Sequence, residues 1–292
     1  MHNKRALKTN IQWFPGHMTK AKREMQEKLD LVDMVIEIRD ARIPNASNNP
    51  LIDELSMHKP RLIILSKKDK ADIVSTRAWT MELSDKKNSC IALDVLHKNY
   101  KQQVITIVHE MMHEKREKQR SRGINPRATR CMVCGIPNVG KSTFINRMAT
   151  KKILDTADRP GVTKALRWVK ISKEIDLLDT PGVLWPKFED EEVGMLLAVT
   201  GAIRDQILPL EEVAYYALKF LKSEYAQSLC SYYNVELIQN NEQMFRAIAL
   251  SKGFLKSGNE VDMTRTIETF LRDIRDNCFG PITWELCDAN RK

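Results

Sequence analysis

The 292-residue chain contains no apolar run approaching the roughly 18 residues that a membrane-spanning helix needs. Its first residues, MHNKRALKTNIQWF, lack the apolar stretch of a secretory signal, so a cytoplasmic location is expected. Cysteine is sparse and scattered: Cys90, Cys131, Cys134, Cys230, Cys278 and Cys287 form no disulfide framework and read as reduced thiols. Internal repeats and low-complexity tracts are missing too, which excludes a solenoid or a tail-like protein. What remains is ordinary globular composition, 42% hydrophobic and 29% charged, in a chain long enough for two domains.

Charge is unevenly spread. Residues 1–130 carry about +10, residues 131–204 about +2 and residues 205–292 about −3, within a net charge of +9. A basic first part beside a mildly acidic last part suggests a polyanionic partner bound mainly by one side.

Short apolar runs alternate with helical patterns. VDMVIEIRD (32–40), RLIIL (61–65), SCIAL (89–93), RCMVCG (130–135), LRWVKI (166–171) and EIDLLD (174–179) read as strands, several apolar enough to be buried on both faces. Helices are expected over 19–31, 50–58, 75–84, 101–119 and 142–149. This alternation predicts a doubly wound α/β sheet. From about residue 205 the pattern becomes purely helical, in LEEVAYYALKFL, EQMFRAIAL and MTRTIETFLRDIRD. The charged stretch 114–130, broken by Gly123 and Pro126, reads as a helix end followed by a linker.

GIPNVGKST (135–143) matches G-x-x-x-x-G-K-[ST] between a strand and a helix, the context that a phosphate-binding loop requires. Its glycines let backbone N–H groups wrap phosphates, Lys141 reaches the terminal phosphates, and the Ser142 hydroxyl suits Mg²⁺. LLDTPG (177–182) follows in the expected order. Asp179 would hold the metal's shell through water, and the Gly182 N–H would face a γ-phosphate. Between them, Thr163 in RPGVTKA offers a second hydroxyl to Mg²⁺.

The base is addressed elsewhere. SKKD (66–69) follows an apolar strand. A carboxylate at Asp69 pairs with the N1–H and N2–H₂ edge of guanine, whereas adenine would leave it unpaired. The Lys67 stem can lie along the base. An ordinary charged turn is the competing explanation, since this loop precedes the phosphate loop and in ordinary GTPases follows it.

Taken in order, WFPGHM (13–18), DARIP (40–44), SKKD, GIPNVGKST, RPGVTKA and DTPGVLWPKFED (179–190) resemble the circularly permuted GTPases of the YlqF/RbgA ribosome-biogenesis type. The resemblance runs from about Trp13 to the C-terminus. It implies a Ras-like P-loop sheet with its ends rejoined elsewhere, so that the guanine-reading motifs come first, followed by a small all-α domain. A permuted GTPase domain over 1–204 is expected, with an N-terminal arm at 1–18, then a helical RNA- or ribosome-binding domain over 205–292. The implied activity is GTP hydrolysis during assembly of the large ribosomal subunit. Ribosomal RNA is then the partner, membrane and DNA are not, and the protein is monomeric off the ribosome.

Ras-like enzymes place a water-orienting Gln after Asp-x-x-Gly. Here Val183, Leu184 and Trp185 follow, and none can do this. The resemblance supplies two substitutes: Asn138, which would help hold a K⁺ ion, and His17, whose imidazole would orient water or move a proton. The expected catalytic residues are therefore His17, Asn138, Lys141 and Gly182. The expected nucleotide contacts are Ser66, Lys67, Lys68, Asp69, Asp94, Val95, Asn138, Val139, Gly140, Lys141, Ser142, Thr143 and Gly182. Ser142, Thr163 and Asp179 would serve Mg²⁺. Ser66 replaces the usual Asn of the base-reading loop, and its shorter side chain predicts weaker GTP affinity.

Three signals point elsewhere and are set aside. HEMMH (109–113) matches a zinc-protease helix but lacks a third ligand nearby. CMVC (131–134) lies on a strand and lacks a second cysteine pair. Trp168 and Trp185 are read as packing residues. Two other functions stay open: an RNA-binding scaffold that uses nucleotide only as a conformational switch, and a P-loop ATPase.

Overall fold

The computed structural model describes residues 23–56, 58–97, 99–149, 166–182, 184, 190–203, 205 and 209–287. Six strands form one sheet: β1 (Met34–Asp40), β2 (Arg61–Ser66), β3 (Asn88–Ala92), β4 (Thr129–Gly135), β5 (Arg167–Lys170) and β6 (Ile175–Asp179). Their order across the sheet is β3-β2-β1-β4-β6-β5. All neighbours are parallel except β5, which runs antiparallel to β6 at the edge. The central strands follow from their composition. Met34, Val35, Ile36 and Ile38 of β1 and Cys131 to Cys134 of β4 are buried, as apolar runs in a sheet covered on both faces should be, and the buried Glu37 of β1 pairs with Arg39 and Arg61.

Helices α1 (Pro50–Ser56), α2 (Ile73–Glu82), α3 (Lys101–Ser121) and α4 (Lys141–Met148) cover the sheet. Residues 23–28 are also helical and end in a 3-10 turn at Leu29–Leu31. Tyr100 at the start of α3 stacks on Phe144 of α4 with centroids 5.7 Å apart, so these two helices share one face. His109 of the HEMMH segment lies on α3 with Nε2 3.4 Å from the Glu174 carboxylate.

The remaining helices are α5 (Glu191–Val199), α6 (Leu210–Glu224), α7 (Ala226–Tyr233), α8 (Asn241–Lys252) and α9 (Met263–Arg275). Side chains cap three of them: Asp190 for α5, Asn240 for α8 and Asp262 for α9 each accept a first-turn N–H. Along α9, Ile267, Phe270, Leu271 and Ile274 recur at helical spacing and are buried. Phe270 joins Tyr233, Phe245 and Phe279 in an aromatic cluster, where Tyr233 Oη donates to Asp273 Oδ2 at 2.8 Å.

Sheet and helical bundle share one continuous hydrophobic core. Helix α5, which lies ahead of residue 205, already packs on α6 and α9. The segment after α9 then turns back to the sheet. Ile282 N–H donates to Lys70 O at 3.0 Å and Trp284 N–H to Arg42 O at 2.8 Å. The Glu285 carboxylate accepts from Asn45 and Ala46 N–H at 2.7 and 2.8 Å. The Trp79 indole N–H donates to Glu285 O at 2.9 Å. Burial pushes the Glu285 carboxyl up to about 7, against the pull of its two N–H donors.

Candidate nucleotide-binding site

The parallel strands bring four motif ends to one edge of the sheet. Register pairs Asp40 with Ser66, Ile38 with Gly135 and Val133 with Asp179. DARIP, SKKD, the phosphate loop and Asp-x-x-Gly therefore start side by side, although they are far apart in sequence. That edge, at the carboxyl ends of parallel strands, is where α/β sheets bind ligands.

The phosphate loop is built as its glycines require. A Cβ on Gly135 would sit 2.5 Å from the Ile38 carbonyl oxygen, so no side chain fits. Gly140, with φ +96°, caps the start of α4. Asn138 also has positive φ, 58°. Lys141 is buried and pairs with Asp179 Oδ1. The second oxygen, Asp179 Oδ2, is fully buried with no hydrogen-bond partner. A buried, unpartnered carboxylate oxygen is a hard donor of the kind Mg²⁺ takes, so this residue fits the ion. Ser142 and Thr143 follow in the first turn of α4. Thr180 Oγ1 donates to Val133 O at 2.9 Å, which locks the end of β6 to β4. Gly182 lies so close to the loop that a Cβ would come 3.2 Å from Pro137 Cα.

On the base side, Ser66 closes the end of β2. Its hydroxyl, fully buried, lies 2.6 Å from Val139 O and 2.9 Å from Arg39 O. The serine therefore makes the tie to the phosphate loop itself, and its one proton is committed there. Lys67 is engaged as well. Its Nζ pairs with Asp40 Oδ2 at 3.0 Å. Burial lowers the Lys67 pKa, and Asp40 opposes that. Burial resists ionisation of Asp40, yet Arg42 and Lys67 hold its carboxyl well below the usual range. Lys68 and Asp69 sit exposed on a 3-10 turn. Asp69, Asp94 and His97 bring their ligand atoms within 4.8 Å of one another. Asp94 is engaged in its own loop, accepting from Leu96 and His97 N–H at 3.1 and 3.0 Å. Val95 is buried, and its Cγ2 would meet a Cβ on Gly140 at 3.3 Å, so its contact is with the phosphate loop.

His17, Thr163, Val183 and Trp185 lie outside the described residues. Trp168, expected to pack, is 39% exposed on the edge strand, with the Arg130 guanidinium 5.1 Å from its ring. Cys131 and Cys134 are buried on β4, which raises both thiols far above their ordinary values and leaves them inert.

A family model described as 50S ribosome-binding GTPase matches residues 130–241. The ribosome biogenesis GTPase A of Bacillus pumilus is 47% identical over 276 residues, 94% of this chain and 98% of that protein. The chain belongs to the ribosome biogenesis GTPase A family. A probable ribosome biogenesis GTPase A from Mycoplasma genitalium is 32% identical across 94% of this chain and 97% of its own length. GNP-bound YlqF from T. maritima superposes with a TM-score of 0.66 over 91% of this chain and 98% of that one, at 23% identity. That likeness speaks to the fold: a permuted P-loop sheet followed by helices.

Within this GTPase family frame, sequence reasoning passed over Arg42. Its guanidinium holds Asp40 through Nε and a terminal nitrogen at 3.0 and 2.8 Å and reaches Thr200 O at 3.1 Å. The Asp-x-Arg spacing at a strand end was the available signal. Gly201, whose carbonyl accepts from Asn138 Nδ2 at 3.0 Å, was also passed over.

Proposed function

We propose that the protein binds GTP with Mg²⁺ at the phosphate loop and hydrolyses it while assisting assembly of the large ribosomal subunit in the cytoplasm. The observation that carries this reading is the convergence of the phosphate loop, Asp179 and the SKKD loop on one sheet edge, joined by Ser66 to Val139. Membership of the ribosome biogenesis GTPase A family supports the assembly role, and the match of residues 130–241 to a 50S ribosome-binding model supports the large subunit. Among the described residues, no helix is long and apolar enough to cross a membrane.

The residues divide the work by chemistry. Lys141 exchanges Asp179 for the β- and γ-phosphates, and the backbone N–H groups of 138–143 cradle them. Asp179 and the hydroxyls of Ser142 and Thr163 hold Mg²⁺, which supplies charge neutralisation on the phosphates when bound. Asp69 reads the guanine edge, with Lys67, Lys68, Asp94 and Val95 framing the base pocket. The Gly182 N–H faces the γ-phosphate.

With Nδ2 of Asn138 committed to Gly201, its remaining ligand atom is Oδ1, the hard oxygen that a K⁺ ion needs. Asn138 and His17 thus take the place of the switch Gln, since Val183 stands in that position. A GTPase domain over 1–204 and a helical ribosome-contacting domain over 205–292 complete the reading, in a protein monomeric off the ribosome.

The deciding assay is GTP hydrolysis in K⁺ and in Na⁺ buffer, with and without large ribosomal subunits. K⁺-dependent turnover stimulated by the particle is expected. Binding to the particle with no turnover in either salt would favour the nucleotide-switched scaffold.

A further inference from the structure

Helix α5 ends in a way that leaves its last carbonyls for other parts of the molecule. Gly201 has φ +77°, Ala202 N–H donates to Leu197 O at 2.9 Å, and Gly201 N–H donates to Ala198 O at 3.1 Å. This is the left-handed glycine termination, and it satisfies the carbonyls of Leu197 and Ala198. Those of Val199, Thr200 and Gly201 still need donors.

Each receives one from a different region. Arg275 of α9 gives Nε to Val199 O at 3.2 Å and a terminal nitrogen to Ala198 O at 2.8 Å. Arg42 of the DARIP loop donates to Thr200 O. Asn138 of the phosphate loop donates to Gly201 O. Two guanidinium groups thus lie at the negative end of the helix dipole.

Arg275 is itself fixed from both sides. Asp205 takes two of its nitrogens at 2.7 and 2.8 Å. Its own carbonyl accepts from Lys70 Nζ at 2.8 Å, one residue beyond Asp69. A Cβ on Gly201 would meet Arg275 Nε at 3.3 Å, so the arginine lies directly against the turn.

We propose that Arg275 and the Gly201 carbonyl are positioning groups for the phosphate loop. Arg275 sets the end of α5, and Gly201 in turn holds the Asn138 amide in its left-handed loop conformation. The helical bundle and the phosphate loop are then coupled through this one helix end, and by linkage whatever orders one orders the other. This rests on the phosphate loop's binding GTP as proposed above. It goes beyond that reading in assigning a role to a residue on α9 that makes no contact with the phosphate loop itself.

A double-mutant cycle tests it. In the full-length protein, Arg275→Ala is expected to weaken GTP affinity about five-fold, the low end of couplings between linked sites. In an Asn138→Ala background the same change is expected to have an effect below about two-fold, because the link is already cut. Asp205→Asn, which loosens Arg275 without removing it, should give the same pattern at smaller size, and it decides the matter where Arg275→Ala does not fold. Amide exchange at Gly201 and Ala202 should slow when GTP is added to the wild type and not in either single variant. Equal losses in both backgrounds, or unchanged affinity in folded Arg275→Ala, would overturn the proposal. Absence of GTP binding by the wild type would instead overturn the reading of the site.

Discussion

The phosphate half and the base half of the site are built differently. On the phosphate side Lys141 and Asp179 are buried and paired, Gly135 admits no Cβ, and Thr180 and Gly182 lock the switch strand against the loop. On the base side Asp69 is exposed on a one-turn element, whose loop is tied down on either side of it, at Ser66 and Lys67 and again at Lys70. On the proposed reading, the contrast teaches that phosphate affinity would be built into the packing, whereas base choice would be left to an exposed carboxylate whose loss costs the fold little.

The largest break in that contrast is Lys141→Ala. It removes the phosphate ligand and leaves Asp179 buried without its cation. GTP binding should vanish, and unfolding in urea should show a loss of about 3–5 kcal/mol. Retained stability would mean that the pair is not a structural element of the loop.

Next is the support under the base side. Glu285 clasps the loop 45–46, next to DARIP, and its carboxyl is raised by burial from 4.5 to about 7. A carboxyl raised in the folded state favours the protonated form. Its contribution is therefore complete below pH 4.5 and declines as pH climbs to 7, by about 3 kcal/mol from this one group. Glu285→Gln should flatten that part of the stability profile between pH 4.5 and 7. An identical profile in the variant would remove the clasp from the account.

Asp69→Asn sharpens the comparison from the other direction. GTP affinity should fall about 100-fold, a xanthine nucleotide should recover it, and the melting temperature should stay put, because the residue is exposed. A large drop in stability would show the base side to be as integral as the phosphate side.

The smallest effect belongs to Ser66→Ala. Removing the hydroxyl leaves Val139 O without that donor and should cost about 1 kcal/mol, with a modest loss of GTP affinity. Ser66→Asn, which a comparison of motifs alone would favour as tighter binding, must overpack a fully buried position and should lower stability instead.

How much of this was readable from the chain varies with the kind of physics involved. The six strands and the phosphate loop were legible because apolar runs and the glycine and lysine spacing are local signals. Asp69 was legible as a carboxylate after a strand. Helix α5 was not, because EEVGMLLAV is short, carries Gly194 mid-helix and is mostly buried, which erases an amphipathic period. The docking of 282–285 was hidden for a different reason: irregular backbone that donates to the carbonyls of Lys70 and Arg42, with Glu285 accepting from the Ala46 N–H, has no sequence period at all. The tie made by Ser66 was not legible because Val139 O, 73 residues away in the chain, comes within 2.6 Å of the hydroxyl only in the fold.

The central claim is that one site joins a prebuilt phosphate cradle to a guanine-reading carboxylate. Competition between GTP and ATP for the wild-type protein, read by displacement of a labelled GDP, tests it most directly. The account predicts displacement by GTP and none by ATP at a hundred-fold excess, since adenine presents Asp69 with an acceptor at N1 and no amine at C2. Displacement by ATP at concentrations matching GTP would contradict it.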